Sequence, residues 1–432
     1  MEHTHHPPAS LAWVVWGLGA AFYFSGFYHR VAPAVMTDQL MADFRIGAAA
    51  LGNFTAFYFY SYSLMQIPTG LLADHWGPRK LLTAGAFVAA VGTVLFASAS
   101  SLAPANLGRF LIGGAAGIGY VAVLTLATRW FPVRFFATLS GVALFCGVAG
   151  AVSAGPPLRF LVERFGWRPV MFAVAAALVL LGAAIWRIVS DDPSRKGYRS
   201  FAPSRPETAL SPATLLADLV TVLRERNVRW LALAGCGLTG PVLAFAGLWG
   251  VPFLTTHHGI SAAASSAVTS TLLICYALGS IALGMLSDRL GLRKPLLIAG
   301  ALVATIAWVP ILFIPGIPLW LLILLVIVAG LANGSVILGF AFGKESVPPR
   351  LAGTASGIYN MGSTFGTIIL QPAIGWLLDR NWQGGLAGGV RIYDLAAYRT
   401  GFTLIVVLAA LSVLAAALTT ETHCRQRTDG PA

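Results

Sequence analysis

Charge is scarce in this chain. Asp, Glu, Lys and Arg make up 10% of its 432 residues, against roughly 25% in ordinary soluble domains, while 57% of the residues are hydrophobic and the mean hydropathy is +0.77. Water cannot be the solvent for most of such a surface. Cysteine is scarce as well: Cys146, Cys236, Cys275 and Cys424 are scattered, at spacings that give neither a disulfide framework nor a zinc site. The alternating pattern of barrel strands is missing, so helices must satisfy the backbone within lipid. No HExxH, no recognisable Ser/His/Asp arrangement and no carboxylate pair falls in the apolar runs, which argues against an enzyme. A transporter-like receptor would carry an added signalling domain, for which the tails are too short.

What is present is a series of apolar runs long enough to cross a hydrocarbon core of about 30 Å at about 1.5 Å per helical residue. They fall at residues 11–36, 48–73, 81–102, 105–128, 137–157, 169–189, 230–253, 262–286, 295–314, 319–342, 352–377 and 400–420. The first run lacks the flanks of a cleaved leader and is expected to stay as a helix. The fold class expected is therefore an all-α membrane protein, with twelve transmembrane helices in two pseudo-symmetric six-helix bundles.

The duplication is written in the sequence. GLLADHWGPRK at 70–80 and GMLSDRLGLRK at 284–294 share Gly70/Gly284, Asp74/Asp288, Gly77/Gly291, Arg79/Arg293 and Lys80/Lys294 at an offset of 214. At an offset of 216, Pro132, Arg134, Gly141, Gly150, Pro156 and Arg164 fall on Pro348, Arg350, Gly357, Gly366, Pro372 and Arg380. Repeats of this size in the same direction suit two bundles that rock around a central site. The expected domains are an N-terminal bundle at 1–189, a linker with an interfacial helix at 190–229, and a C-terminal bundle at 230–432.

The net charge of +12 does not mark a nucleic-acid binder. Most Lys and Arg fall in the segments that share a side with both termini, the bias that sets orientation toward the cytoplasm. A multi-pass protein of the inner or plasma membrane follows, with both termini cytoplasmic. In the linker, Ser211 can cap a helix with Pro212 at its first position, and Leu215, Leu216, Leu219, Val222 and Leu223 then line one face on the bilayer surface. His3, His5 and His6 read as a solvated tail rather than a metal site.

The paired loops resemble the G-x-x-x-D-x-x-G-x-R-[RK] motif of the major facilitator superfamily, with His75 and Arg289 after the Asp. Arg109-Phe-Leu-Ile-Gly113 followed by Gly117 is similar to that family's Arg-and-Gly pattern in its fourth helix. The segments YHRVAPAVM at 28–36 and YSYSLMQIPTG at 60–70 resemble the anion:cation symporter branch and the phagosomal-type and lysosomal dipeptide branches. The resemblance implies a secondary transporter working by alternating access. It departs at two places: His29 and Ala116 stand where the symporters usually have carboxylates. None of the 16 acidic residues sits in the middle of a span.

The candidate site follows from polar groups that lipid cannot face. Arg30 and Arg109 lie within spans, where charge is costly and functional, and a guanidinium can take a carboxylate bidentately. The Arg109 pattern also fits a bond to first-helix backbone. Thr55, Tyr58, Tyr62 and Gln66 form one helical stripe, and Asn360, Thr364, Thr367 and Gln371 another. Substrate contacts are thus expected at Arg30, Arg109, Tyr58, Tyr62, Trp249, Tyr276, Asn333, Asn360 and Gln371, with coupling at His29. Asp74, Arg79, Asp288 and Arg293 are expected to gate, by charge contacts that lock one packing of the bundles. The solute expected is a small organic anion, amino acid or small peptide, moved by a monomer with protons as a candidate co-substrate and no cofactor or metal. Efflux of drugs or metabolites is the rival.

Overall fold

The computed structural model describes residues 5–66, 68–201 and 212–426, apart from the side chains of residues 70, 71, 73–75, 133, 137 and 212–216. Among the described residues the chain is almost wholly helical. The first half runs α1 (Ala9–Val31), α2 (Thr37–Phe44), α3 (Ala48–Met65), α4 (Pro68–Ser98), α5 (Leu102–Ala116), α6 (Gly119–Trp130), α7 (Phe136–Ser153), α8 (Pro156–Phe165) and α9 (Trp167–Ile188). After the linker helix α10 (Pro212–Arg224) come α11 (Arg226–Ala244), α12 (Gly250–His257), α13 (Ala262–Leu290), α14 (Lys294–Phe313), α15 (Leu319–Asn333), α16 (Val336–Glu345), α17 (Ala352–Arg380) and α18 (Leu395–Ala417). A two-stranded antiparallel hairpin, β1 (Leu386–Ala387) with β2 (Val390–Arg391), lies between α17 and α18.

Among the described residues, eleven continuous helices or helix pairs are long and apolar enough to span a membrane. The twelfth expected span is α3, whose aromatic and polar residues lower its hydropathy. Two six-helix bundles result, an all-α multi-pass membrane fold. Side chains such as Phe145, Leu180 and Trp320 stand exposed, as lipid requires and water does not.

The breaks in the helices repeat with the halves. Between α5 and α6 the chain is broken at Gly117 and Ile118, and between α15 and α16 at Gly334 and Ser335. The motif glycines repeat too: Gly77 has φ 76° and Gly291 has φ 66°, conformations that a Cβ disfavours. Between α11 and α12, Phe245–Trp249 forms a π-helical turn downstream of Pro241, which frees part of the regular ladder.

By contacts the chain forms two compact units, one of residues 1–30, 60–154 and 160–210, the other of 31–59, 155–159 and 211–432. In the first, Val15, Trp16, Phe22, Leu82, Val123, Leu126 and Trp130 build a core from α1, α4 and α6. In the second, small residues let backbones touch: a Cβ at Gly366 would strike the Cys236 carbonyl, and one at Gly237 the Leu408 carbonyl. Helices α11, α17 and α18 therefore pack without intervening side chains, as membrane helices do.

The linker helix forms as Pro212 suggests, on residues 212–224, while Ser211 lies outside the described residues. His5 and His6 are exposed, as a solvated tail is, but they are tied to the linker. The His5 carbonyl accepts from the Arg199 amide at 2.8 Å, and the His6 ring stacks on Phe201 at 3.9 Å. His3 lies outside the described residues.

Candidate functional site

Arg30 ends α1 at 8% exposure. Its guanidinium carbon lies 4.3 Å from the Phe27 ring centroid and 4.7 Å from that of Tyr62 on α3. Aromatic rings hold a cation by their faces. The in-plane edge of a guanidinium is the part that meets a carboxylate. Tyr62 is placed by close helix approach, because a Cβ at Gly117 would come within 3.3 Å of the Tyr62 carbonyl.

Arg109 is 1% exposed, and its Nη1 donates to the His29 carbonyl at 2.6 Å. It therefore ties α5 to the backbone of α1 one residue before Arg30. His29 is 2% exposed, with Nδ1 at 2.9 Å from the Ser25 carbonyl and Nε2 at 3.0 Å from the Thr93 hydroxyl. Both ring nitrogens are engaged, Nδ1 within α1 and Nε2 across to α4. Arg30 is thus a charged group on aromatic faces, and the backbone one residue before it is tied by a second arginine.

At the offset of 214, Ala244 and Ile323 stand where the first half has Arg30 and Arg109. Tyr276, the repeat partner of Tyr62, meets the Thr239 hydroxyl at 3.3 Å. The Trp249 indole donates to the Gln371 carbonyl at 3.1 Å, and the Gln371 amide donates to the Leu243 carbonyl at 3.1 Å. Asn333 donates to the Ala329 carbonyl at 2.7 Å. The remaining amide oxygens of Asn333 and Gln371 are buried and meet no hydrogen-bond partner among the described residues. Tyr58 is fully buried and packs edge-on to Phe59. Asn360 is half-buried, and its carbonyl accepts from the Thr364 hydroxyl at 3.1 Å.

The paired loops differ in what their arginines touch. Arg79 donates through Nε and Nη2 to the Trp186 carbonyl at 2.9 and 2.6 Å and stacks on that indole, while its amide donates to Asp191 at 2.8 Å. Arg293 is ion-paired to Asp288 at 2.7 Å and to Glu345 at 2.8 Å. Burial alone would lower its pKa, but the bonds to Glu345 and Asp288 prevail and hold it above the ordinary arginine value. Glu421 accepts from the Arg293 and Lys294 amides at the start of α14. Burial would raise this carboxyl, and the amide bonds outweigh it and hold it below the ordinary glutamate range. The side chain of Asp74 lies outside the described residues.

Asp191, Glu345 and Glu421 were not expected as partners, because in sequence they are loop, helix-end and tail acids. One signal would have found two of them: Asp191 and Glu421 stand 230 residues apart, and Arg168 and Arg399 stand 231 apart. The second pair also acts alike. Arg168 donates to the carbonyls of Ala97 and Ala99 at the end of α4, and Arg399 to that of Phe313 at the end of α14.

The comparisons agree with this architecture. The family model of the Major Facilitator Superfamily matches residues 15–254 and 242–430. The chain is 22% identical to the probable galactarate/D-glucarate transporter GarP of Escherichia coli (strain K12), over 81% of this chain and 84% of that one. It is 28% identical to the probable sulfoacetate transporter SauU of Cupriavidus necator, where the match spans only 42% of this chain and 43% of the relative. In fold it is similar to a bacterial homolog of the human lysosomal transporter Spinster, with a TM-score of 0.76 and 19% identity over 95% of this chain and 97% of that one. These relatives are transporters rather than enzymes. With the doubled loop, the repeated helix breaks and a family match along almost the whole sequence, the chain belongs to the Major Facilitator Superfamily of membrane transporters.

Proposed function

We propose that this protein carries a small organic anion, with amino acids and small peptides as the zwitterionic members of the class, across the inner or plasma membrane by alternating access. The observation that carries the proposal is Arg30, a nearly buried guanidinium on two aromatic rings in a span. In this reading Arg30 takes the carboxylate or sulfonate, and Tyr62 shapes its seat. Arg109 positions the His29–Arg30 backbone rather than touching solute. Within the second unit, the buried acceptors of Asn333 and Gln371 are of a kind that suits hydroxyl or amine donors, and Tyr58, Trp249, Tyr276 and Asn360 are its further neutral candidates. Similarity to GarP, a probable galactarate/D-glucarate transporter, and to SauU, a probable sulfoacetate transporter, supports the anionic class. Asp74, Arg79, Asp288 and Arg293 gate, the termini are cytoplasmic, and His29 is the candidate for proton coupling.

A thermal-shift screen of purified protein against sugar acids, sulfonates, monocarboxylates, amino acids, dipeptides and neutral drugs tests the class, since a ligand of the folded state raises its stability. An anionic hit loses about one to two decades of affinity in Arg30→Ala, the value of a charge-assisted bond. Arg30→Lys recovers little of it, because a point charge lacks the planar fork. Hits confined to neutral or cationic amphiphiles, unchanged in Arg30→Ala, would replace this reading with drug efflux.

A further inference from the structure

Helix α3 belongs by sequence to the first repeat, yet residues 31–59 group with the second-half helices in one compact unit. What joins them is specific. Asp379, at the end of α17, accepts from the Ala48 amide at 3.1 Å through Oδ1 and from the Ala49 amide at 2.8 Å through Oδ2. These are the first amides of α3, which no upstream turn can satisfy. A carboxylate there also meets the positive end of the helix.

The first repeat cannot cap this helix itself. The residue before α3 is Gly47, with no side chain. Its counterpart at the offset of 214 is Ser261, whose hydroxyl accepts from the Ala264 amide at 3.1 Å and caps α13 locally. Gly47 instead gives room to the foreign cap, since a Cβ there would lie 2.5 Å from both Asp379 oxygens. The approach continues along the two helices. A Cβ at Gly52 would strike the Gln371 carbonyl, and one at Gly375 the Ala48 carbonyl.

A second asymmetry holds the cap in place. Between α8 and α9 the first half has only Gly166, whereas between α17 and α18 the second half has residues 381–394, including the hairpin. That insertion supplies Arg391, ion-paired to Asp379 at 3.0 Å, and Tyr393, which donates to Asp379 at 2.6 Å and accepts from the Ala48 amide at 2.9 Å. Burial, then the bond to Asp379, raises the Tyr393 phenol above its ordinary value, so it stays a donor. Glu163 stands at the position of Asp379 in the first half, without a hairpin beside it.

We infer that Asp379, with Arg391 and Tyr393 of the inserted hairpin, is a latch that holds the start of α3 on α17 and must release it whenever that end of the transporter opens. The latch is one-sided in its support, because the hairpin that braces Asp379 has no counterpart between α8 and α9, and because α13, the counterpart of α3, carries its own Ser261 cap.

The test needs no solute, so its failure is separate from failure of the anion reading. In a variant with Cys146, Cys236, Cys275 and Cys424 replaced by Ala, a cysteine is placed by Ala48→Cys at a buried position. Its labelling by a membrane-impermeant maleimide is then timed in proteoliposomes. Asp379→Asn should speed labelling about tenfold, the scale of one hydrogen bond to a charged group. Tyr393→Phe, which deletes one phenol oxygen and leaves the fold its other contacts, should speed it by less. Labelling at the original rate in the folded Tyr393→Phe variant, and in Asp379→Asn where it folds, would make the cluster a static cap and overturn the latch, whatever happens to thermal stability. Equal acceleration by Asp218→Asn, which breaks the exposed pair with Arg350 in the same unit, would mean general loosening and overturn it as well.

Discussion

The two copies of the charged loop begin from one sequence pattern and end in different chemistry. In the first, Arg79 spends its guanidinium on a helix-end carbonyl and an indole face. In the second, Arg293 sits at 6% exposure among Asp288 and Glu345. The glycines differ likewise. A Cβ at Gly77 would collide with Asp191, while one at Gly291 would meet nothing within 4 Å. Gly77 therefore serves both a backbone angle and a close approach, and Gly291 the angle alone. A shared motif fixes backbone and position of charge, whereas the partner of that charge is chosen by whatever the rest of each half brings near.

The comparison is sharpest at the arginines. Arg293→Ala leaves Glu345, 11% exposed, without its cation, and breaking such a buried pair costs about 3–5 kcal/mol. Arg79→Ala leaves neutral groups behind and should cost about 1–2 kcal/mol. Thermal or denaturant unfolding in detergent measures both, and equal losses would erase the distinction drawn between the copies.

Next come the acids that cap the following helix. Glu421→Gln should remove about 0.5–2 kcal/mol, the worth of a helix N-terminal cap. Acid should do the same. The folded-state pKa of Glu421 is depressed, so its contribution is complete above the ordinary glutamate range and fades as pH falls through the lower folded value. A pH series of unfolding midpoints for the native protein and for Glu421→Gln should converge in acid. Curves that stay parallel would remove Glu421 from the account.

The smallest effect on stability is expected at Asp288, whose side chain is 70% exposed in its pair with Arg293. Asp288→Asn should move the unfolding midpoint little, since exposed pairs are worth about 0–1 kcal/mol. If the loop gates, turnover in proteoliposomes falls all the same. Full turnover would leave Asp288 with an anchoring role only.

The duplication and the twelve spans were legible in the sequence because apolar length and glycine spacing act locally. The offsets of 214 and 216 carry the reading through residue 380, and beyond that point the hairpin interval shifts the register to 230 or 231, hiding Asp191/Glu421 and Arg168/Arg399 as pairs. That Arg30 would turn inward was legible because charge within a span is costly, and it is buried on two aromatic rings. The alternative reading of Arg109, as a bond to first-helix backbone, matches its contact with the His29 carbonyl. Asp379 was not legible at all. An acid at a helix end, beside a loop, has no sequence mark to separate a solvated charge from the cap of another helix, and Gly47 announces a missing cap only when Ser261 is set beside it.

The absence of a local cap on α3 reaches into the resting equilibrium of the molecule. A duplicated carrier with identical halves would have two accessible conformations of nearly equal free energy. In the latch reading, one charge-assisted contact braced by a hairpin on a single side, about 1.5–3 kcal/mol, would skew their populations by roughly ten- to a hundredfold. A solute reaching the rarer conformation binds with its affinity reduced by that fraction. The same binding residues would then serve the two compartments at different working concentrations.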